Sequence, residues 1–267
     1  MPAATLPATV VGRFVLAARF LTRLPIPGPC AAFEELGKSA AYFPGVGLLV
    51  GGLVAAAAVG VDRLWGNPLL AGAAAVIVNA MVTGGLHLDG LMDTCDGIFG
   101  GHTRERALEI MRDSRVGSFG VLGGCAAVLL RFAFVAGPGG PQWTALLLAP
   151  VIGRCAQVWA VACFPYARAQ GTGSAFQNVT GRAQVVAATI TAVVLCFLTA
   201  GVPALVWLGA GWAVALGVAV RLHQRLGGLT GDSYGAVTEV SEWAALAAAG
   251  LLPCLAGPVS IALNACL

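Results

Sequence analysis

Charged side chains are scarce in this chain: 10% of its 267 residues are Asp, Glu, Lys or Arg, whereas 58% are hydrophobic. A soluble domain carries about 25% charged residues, so this composition excludes an ordinary water-facing surface. Apolar runs of about 20 residues, the length that crosses a bilayer as a helix, recur along the sequence. The composition therefore predicts an all-α, polytopic integral membrane protein.

The sequence also lacks the motifs of several other protein classes. Its eight cysteines form no CxxC pair, so neither a disulfide framework nor a zinc site is expected. No basic run alternates with aromatic residues, so nucleic acid is not an expected partner. Arg13, Arg19 and Arg23 interrupt the N-terminal apolar run, which is untypical of a signal peptide. They favour an interfacial N-terminal segment over residues 1–40, within a single membrane domain that covers residues 1–267.

The apolar runs predict about seven transmembrane helices. They lie near residues 41–61, 68–86, 116–136, 143–163, 183–202, 203–220 and 243–263. Lys and Arg accumulate in cytoplasmic loops. With the N-terminus inside, twelve basic residues fall in inside segments and only Arg63 falls outside. This asymmetry predicts a multi-pass protein of the bacterial inner membrane, with its N-terminus and the loop 86–116 in the cytoplasm.

Ten of the few charged residues are concentrated in this loop, residues 86–116. Asp89, Asp93 and Asp96 are spaced i, i+4, i+7, which places them within roughly 60° on one face of a helix. Three carboxylates on one face repel one another unless a cation lies among them, and carboxylate oxygens prefer Mg²⁺. The spacing predicts a catalytic metal site of these three aspartates, and Asp113 is a candidate to complete it.

Arginines are interleaved with these carboxylates, and guanidinium groups bind phosphate oxygens. Arg104, Arg106 and Arg115 are therefore candidate substrate-binding residues, and the segment predicts chemistry on a phosphate or diphosphate. A simpler interpretation stays open for the second half of the segment. There, Glu105 and Glu109 are equally well explained by ordinary ion pairs on a solvated helix.

A second polar cluster covers residues 227–243. Its Asp232 and Glu239 are expected to face the aspartates across the same cytoplasmic surface and to bind substrate. The simpler alternative for Glu239 is a favourable position at the start of the last helix. His87 is a candidate general base, although a satisfied interfacial histidine explains it equally well.

Arg131 and Arg154 interrupt apolar spans, where a charge costs at least about 2.5 kcal/mol. Such residues face a cavity or a partner. No carboxylate is expected deep enough in the spans to pair with them. Either they contact an anionic group of the substrate, or they reach the interface from misplaced helix ends.

Five stretches, in this order along the chain, resemble the cobalamin synthase family of adenosylcobinamide-GDP ribazoletransferases. They are residues 20–27 (FLTRLPIP), 40–51 (AAYFPGVGLLVG), 83–120 (TGGLHLDGLMDTCDGIFGGHTRERALEIMRDSRVGSFG), 165–168 (PYAR) and 227–239 (GGLTGDSYGAVTE). The similarity extends over nearly the whole chain, and residues 83–120 are its most specific part. Met92 and Cys95 stand where alanine-like residues are expected, and neither replaces a required charge.

The resemblance implies a membrane enzyme that transfers the adenosylcobinamide phosphate moiety from adenosylcobinamide-GDP to α-ribazole or its 5′-phosphate. It implies release of GMP and a requirement for Mg²⁺. The general base is left open between His87 and a spare carboxylate. Membrane lipid surrounds such a protein, and association with other cobalamin-pathway enzymes is a further expectation. Four aromatic residues are candidates for contact with the corrinoid at the interface: Tyr42, Phe43, Phe176 and Tyr234.

Two other classes of membrane enzyme also use aspartate-rich motifs and Mg²⁺ on a diphosphate. CDP-alcohol phosphotransferases carry a DGxxAR stretch, and Asp96–Gly101 (DGIFGG) lacks its arginine. Prenyltransferases tend to carry two motifs of NDxxD type, and one aspartate cluster is present here. A small transporter would place ionisable groups near mid-membrane on broken helices. Most carboxylates of this chain lie outside the predicted spans, which disfavours that alternative.

Overall fold

The computed structural model describes residues 9–28, 33–137, 142–168 and 179–251, and these ranges contain helices and no strand. The helices are α1 (Val10–Leu21), α2 (Phe33–Ser39), α3 (Phe43–Trp65), α4 (Pro68–Thr83), α5 (Leu86–Gly100), α6 (Arg104–Ile110), α7 (Ser118–Ala136), α8 (Trp143–Cys163), α9 (Arg182–Ala200), α10 (Val202–Leu226) and α11 (Gly231–Leu251). A 3₁₀ turn, Ala40–Tyr42, joins α2 to α3. The predicted all-α architecture is confirmed.

Five helical segments among the described residues are long and apolar enough to cross a membrane: Glu35–Trp65, α7, α8, α9 and α10. Helices α4 and α5 pass the same test only as a pair, and they are bent by 92° relative to each other. The prediction of about seven spans is roughly consistent with this count. One boundary was wrong. The last span was expected to begin at residue 243, whereas α11 begins at Gly231, because its polar first half is buried in the bundle instead of lying in a loop.

Helix α8 is the centre of the bundle. It packs against α3, α9, α10 and α11. Within its most apolar stretch 78% of the residues are buried, compared with 22% in α9, which therefore lies at the outside. Arg154 and Gln157 of this central helix are buried, so their polar side chains need partners on neighbouring helices. These partners belong to the site described below.

Helices α3 and α8 touch through glycine. A Cβ atom at Gly47 would overlap the carbonyl of Pro150, and one at Gly51 would overlap the carbonyl oxygen of Leu147. Small residues allow such close backbone approach, which replaces the hydrophobic driving force that lipid removes. The neighbouring Gly52 points away from this contact, and a Cβ there would have only one side-chain atom within 4 Å, at 3.8 Å.

These two adjacent glycines make a matched pair for testing the helix contact. Gly51→Ala should lower the melting temperature of the purified protein by about 5 °C, because the added methyl group pushes α3 away from α8. Gly52→Ala should leave the melting temperature unchanged or raise it slightly, since alanine favours helix more than glycine does. Equal melting temperatures for the two variants would contradict the close α3–α8 contact.

Candidate active site

The charged segment begins at a sharp bend of the chain. Helix α4 ends at Gly84, and both Gly84 and Gly85 have positive φ angles, 63° and 70°. Glycine adopts this left-handed backbone without the steric penalty of a Cβ atom. The two residues turn the chain by 92° into α5, which carries all three predicted metal ligands on one continuous helix.

Two glycines then bring α5 against the first turns of α11. A Cβ atom at Gly90 would lie 2.8 Å from the carbonyl oxygen of Asp232, and one at Gly235 would lie 2.9 Å from the carbonyl oxygen of His87. The two helices therefore cross with their backbones in contact. As a result, Asp232 lies beside the aspartates of α5, although more than 130 residues separate them in the sequence.

Asp89, Asp93 and Asp232 form the acidic face of the site, and each carboxylate is close enough to the others to repel them. Arg168 offsets part of this charge through an ion pair of 3.1 Å to Asp232 Oδ2. The Thr230 hydroxyl donates a second hydrogen bond, of 3.2 Å, to the same oxygen. The expected juxtaposition of Asp232 with the aspartates is present, and its role in substrate binding stays a prediction.

A cavity of about 460 Å³, called the site cavity below, opens beside this acidic face. Its lining combines charged, neutral polar and apolar side chains from α1, α2, α5, α8, α11 and the loop before residue 168: Phe20, Leu36, Leu86, His87, Asp89, Gly90, Gln157, Tyr166, Arg168, Gly231, Asp232, Tyr234 and Gly235. Sites for small molecules have volumes in this range and this mixture of polar and apolar walls.

Asp96 lies on the same helix but is used differently from the prediction. Its two carboxylate oxygens accept hydrogen bonds of 2.7 Å from the backbone N–H groups of Gly117 and Gly120, at the start of α7. The first N–H groups of a helix have no partner within the helix, and a carboxylate is well suited to accept from them. This carboxylate thus attaches α5 to α7, and the role of Asp96 as a metal ligand stays a prediction.

The metal site of Asp89, Asp93 and Asp96 stays a prediction. Among the described residues, no three His, Cys, Asp or Glu side chains are close enough together to hold a metal ion. Mg²⁺ in enzymes is usually held by one or two carboxylates, by water and by the phosphates of the substrate. Asp89 and Asp93, with Asp232 beside them, fit that mode of binding.

His87 is buried, and its surroundings do not favour the predicted role as a general base. Its Nδ1 lies 3.3 Å from Nη2 of Arg154. A guanidinium group only donates hydrogen bonds, so Nδ1 is the acceptor and cannot bind a proton without losing this contact. A positively charged imidazole beside a buried arginine would also be repelled.

Glu239 lies inside the bundle, and its role in substrate binding stays a prediction. Arg131, Arg154, Glu239 and Glu242 are all buried and form a core ion network. Arg131 Nη2 lies 2.9 Å from Glu239 and 2.8 Å from Glu242, and Arg154 pairs with the other oxygen of Glu242. Both expectations for the two arginines are corrected, because α11 starts early enough to carry its glutamates into the bundle.

Arg104 and Arg225 connect the loops around the site through hydrogen bonds to backbone carbonyls. Arg104 donates hydrogen bonds to the carbonyl oxygens of Leu226, at 2.6 Å, and Ala167, at 2.8 Å. Arg225 donates to the carbonyl of Gly101 at 2.6 Å. Carbonyls at helix ends lack partners within the helix, and arginine satisfies several at once. The contact of Arg104 with phosphate stays a prediction, and the role of Arg225 was not predicted from the sequence.

Arg106 and Arg115 are exposed and stay available to a ligand. They line a surface cavity of about 570 Å³ next to α6 and the start of α7. Arg106 pairs with Glu109, and Arg115 pairs with Asp113, each at 2.7 Å. Arg115 lowers the pKa of Asp113 to about 2. Among the residues that the structure describes, Asp113 belongs to no group of three that could hold a metal, and its role as an additional metal ligand stays a prediction.

The sequence reasoning missed two components of the site. Arg168 was counted only as a basic residue of an inside segment, although the PYAR stretch that contains it was part of the family resemblance. The crossing glycines, Gly90 and Gly235, were not singled out, because a glycine in a helix gives no sign of which partner it contacts. Phe176, a candidate for corrinoid contact, lies outside the described residues, and Phe43 is buried in the core.

Comparison with known proteins gives a consistent result. A family model described as cobalamin-5-phosphate synthase matches residues 13–250. A protein of Roseiflexus sp. (strain RS-1) named adenosylcobinamide-GDP ribazoletransferase is 43% identical over 86% of this chain and 86% of its own length. Proteins with the same name from Desulforamulus reducens and Citrobacter koseri are 40% and 38% identical, over 85% and 84% of this chain and 91% and 93% of their own lengths. No solved structure matches the chain.

The core ion network predicts a large cost for removing one of its charges. Glu242→Gln should lower the melting temperature by about 10 °C, because it leaves two buried arginines with one carboxylate. Glu109→Gln removes an exposed glutamate and should change the melting temperature by less than about 2 °C. Thermal unfolding of the purified variants provides the measurement. A Glu242→Gln variant as stable as the unmodified protein would show that the network does not hold the bundle together.

Proposed function

From the premise that the chain belongs to the cobalamin-5-phosphate synthase family, we propose that it joins adenosylcobinamide-GDP to α-ribazole, or to the 5′-phosphate of α-ribazole, and releases GMP. The chain is thus a polytopic membrane enzyme of cobalamin biosynthesis. Mg²⁺ is its proposed cofactor. The observation that best supports this reaction is the acidic face: Asp89 and Asp232 line the site cavity together with Arg168, and Asp93 lies beside them.

In the proposed reaction a hydroxyl oxygen of the acceptor attacks the phosphorus on the corrinoid side of the diphosphate. A new P–O bond forms, the bond to the bridging oxygen breaks, and GMP leaves with the electron pair. Negative charge develops on the bridging and equatorial oxygens, so fixed positive charge in the site accelerates the reaction. Asp232 holds Arg168 in place for this purpose. Arg106 and Arg115 are exposed in the segment that follows α5, and they are proposed to bind the nucleotide phosphates.

Mg²⁺, when bound, would offset the negative charge of the diphosphate, and Asp89 and Asp93 are the residues proposed to hold it, with Asp232 beside them. The acceptor hydroxyl must also lose a proton. Because Nδ1 of His87 faces Arg154, the proposed base is a carboxylate of the acidic face. Of the two alternatives that the sequence leaves open, His87 and a spare carboxylate, we propose the carboxylate.

Asp93→Asn tests the acidic face, because it removes one charge and leaves the shape of the side chain. GMP release from adenosylcobinamide-GDP in the presence of α-ribazole should fall by about 100-fold or more. Asp62→Asn, at the far end of α3, should stay within about twofold of the unmodified enzyme. The assay is run across a Mg²⁺ titration. Near-normal turnover of Asp93→Asn at every Mg²⁺ concentration would show that the acidic face does not hold the metal.

The proposed location is the bacterial inner membrane, with the site on the cytoplasmic side. The supporting observation is the excess of arginine and lysine in the segments around the site, since basic loops remain in the cytoplasm. A reporter fused after Gly101 should be active only as a cytoplasmic reporter, and one fused after Gly66 only as an external reporter. The opposite pattern would reverse the orientation.

A further inference from the structure

Three neutral side chains in the wall of the site cavity carry buried polar atoms without a hydrogen-bond partner. They are His87 from α5, Gln157 from α8 and Tyr234 from α11, and the atoms are Nε2, Oε1 and Oη, respectively. An unpaired polar atom in a low-dielectric interior costs about 1–3 kcal/mol, so native proteins rarely leave three together. Their position around one cavity indicates that a ligand completes their hydrogen bonds.

The contact of His87 with Arg154 determines what the imidazole offers to such a ligand. Since the guanidinium donates to Nδ1, the neutral ring carries its proton on Nε2. Nε2 is therefore a hydrogen-bond donor and not an acceptor. The side chain of Gln157 lies close enough to this ring to interact with it as a weak hydrogen-bond acceptor, but the pair lies outside regular hydrogen-bond geometry and Oε1 has no other partner. Tyr234 adds a hydroxyl that both donates and accepts.

We propose that these three atoms form a neutral subsite that binds the acceptor nucleoside of the reaction, whose ring nitrogen and sugar hydroxyls match one donor, one acceptor and one hydroxyl. The inference rests on the proposed function and adds to it the place where the acceptor binds. Tyr234 is thereby assigned to the acceptor and not to the corrinoid.

The size and charge of the cavity favour the acceptor over the other substrate. A volume of about 460 Å³ suits a single nucleoside, whereas a corrinoid joined to a nucleotide is several times larger. These three atoms belong to neutral groups, which suits a nucleoside better than a diphosphate. The fourth buried unpaired atom in the cavity wall, Nε of Arg168, belongs to the charged residue that is proposed to act on the diphosphate. Phe20 and Tyr166 add aromatic surface to the same wall, which suits a heteroaromatic ring.

The subsite also lies beside the carboxylates that are proposed to take part in the reaction. Asp89 and Asp232 line the same cavity as the three neutral side chains. A nucleoside held by the neutral wall therefore presents its sugar hydroxyl to the carboxylates that would hold the metal and accept the proton. Positioning two reactants in one cavity in this way lowers the entropic cost of bringing them together.

Tyr234→Phe and Gln157→Met test the subsite, because each removes one polar group and keeps nearly the same volume. Each should raise the KM for α-ribazole about tenfold, the effect of losing one buried neutral hydrogen bond, and change the KM for adenosylcobinamide-GDP by less than about twofold. Gln224→Met, on the exposed face of α10, is the matched control and should change neither. GMP release is measured while one substrate is varied and the other is saturating.

A second measurement separates this inference from the proposed function. Equilibrium dialysis of labelled α-ribazole against the full-length protein should give about tenfold weaker binding for both variants. If the KM values and the binding of α-ribazole are unchanged in both variants, or if the KM for adenosylcobinamide-GDP rises equally, the subsite is refuted. If the unmodified protein releases no GMP but binds α-ribazole through these residues, the proposed function fails and the subsite stands.

Discussion

Four charged side chains in the middle of the bundle, Arg131, Arg154, Glu239 and Glu242, hold the helices that form the site. A buried charge is tolerated only beside an opposite one, so each arginine requires its glutamate at a defined depth. The network joins α7, α8 and α11, and Arg154 extends it to α5 through His87. Because these contacts are directional, they determine how the helices are rotated relative to one another, which apolar packing alone would leave free.

Glycine residues then determine how closely α5 and α11 approach each other. The network fixes the rotation of α5 and α11, and Gly90 and Gly235 let their backbones touch, so that Asp232 reaches the aspartates of α5. The site is thus a junction of elements far apart in the sequence. The two halves of the reaction are expected on its two walls: carboxylates and Arg168 for the diphosphate and its metal, and neutral polar atoms for the acceptor. His87 connects the core ion network to the subsite, because its Nδ1 contacts Arg154 and its Nε2 belongs to the subsite.

The fold was largely predictable, and the site only in part. Apolar run length predicted most of the long helices to within a few residues, because a bilayer imposes a similar length on every span, but it placed the start of the last helix twelve residues too late. Helical spacing predicted that Asp89, Asp93 and Asp96 share one face of a helix. It could not show that this face extends past the cavity to the start of α7, where Asp96 accepts its hydrogen bonds. Arg104 and Glu239 also have partners within the protein that no local pattern revealed. Charge and local pattern show that such residues need a partner and do not show whether that partner is a substrate or another part of the protein.

The sequence by itself determined that this is a helical membrane enzyme, where its charged residues are concentrated and to which family it belongs. These properties depend on composition, local periodicity and motif order, which are written in consecutive residues. Only the tertiary structure decided that Asp96 and Arg104 support the fold, that Arg131 and Arg154 pair with glutamates of α11, and that His87, Gln157 and Tyr234 meet at one cavity. Those outcomes depend on helix rotation and crossing, which arise from contacts between residues distant in the chain and leave no local pattern.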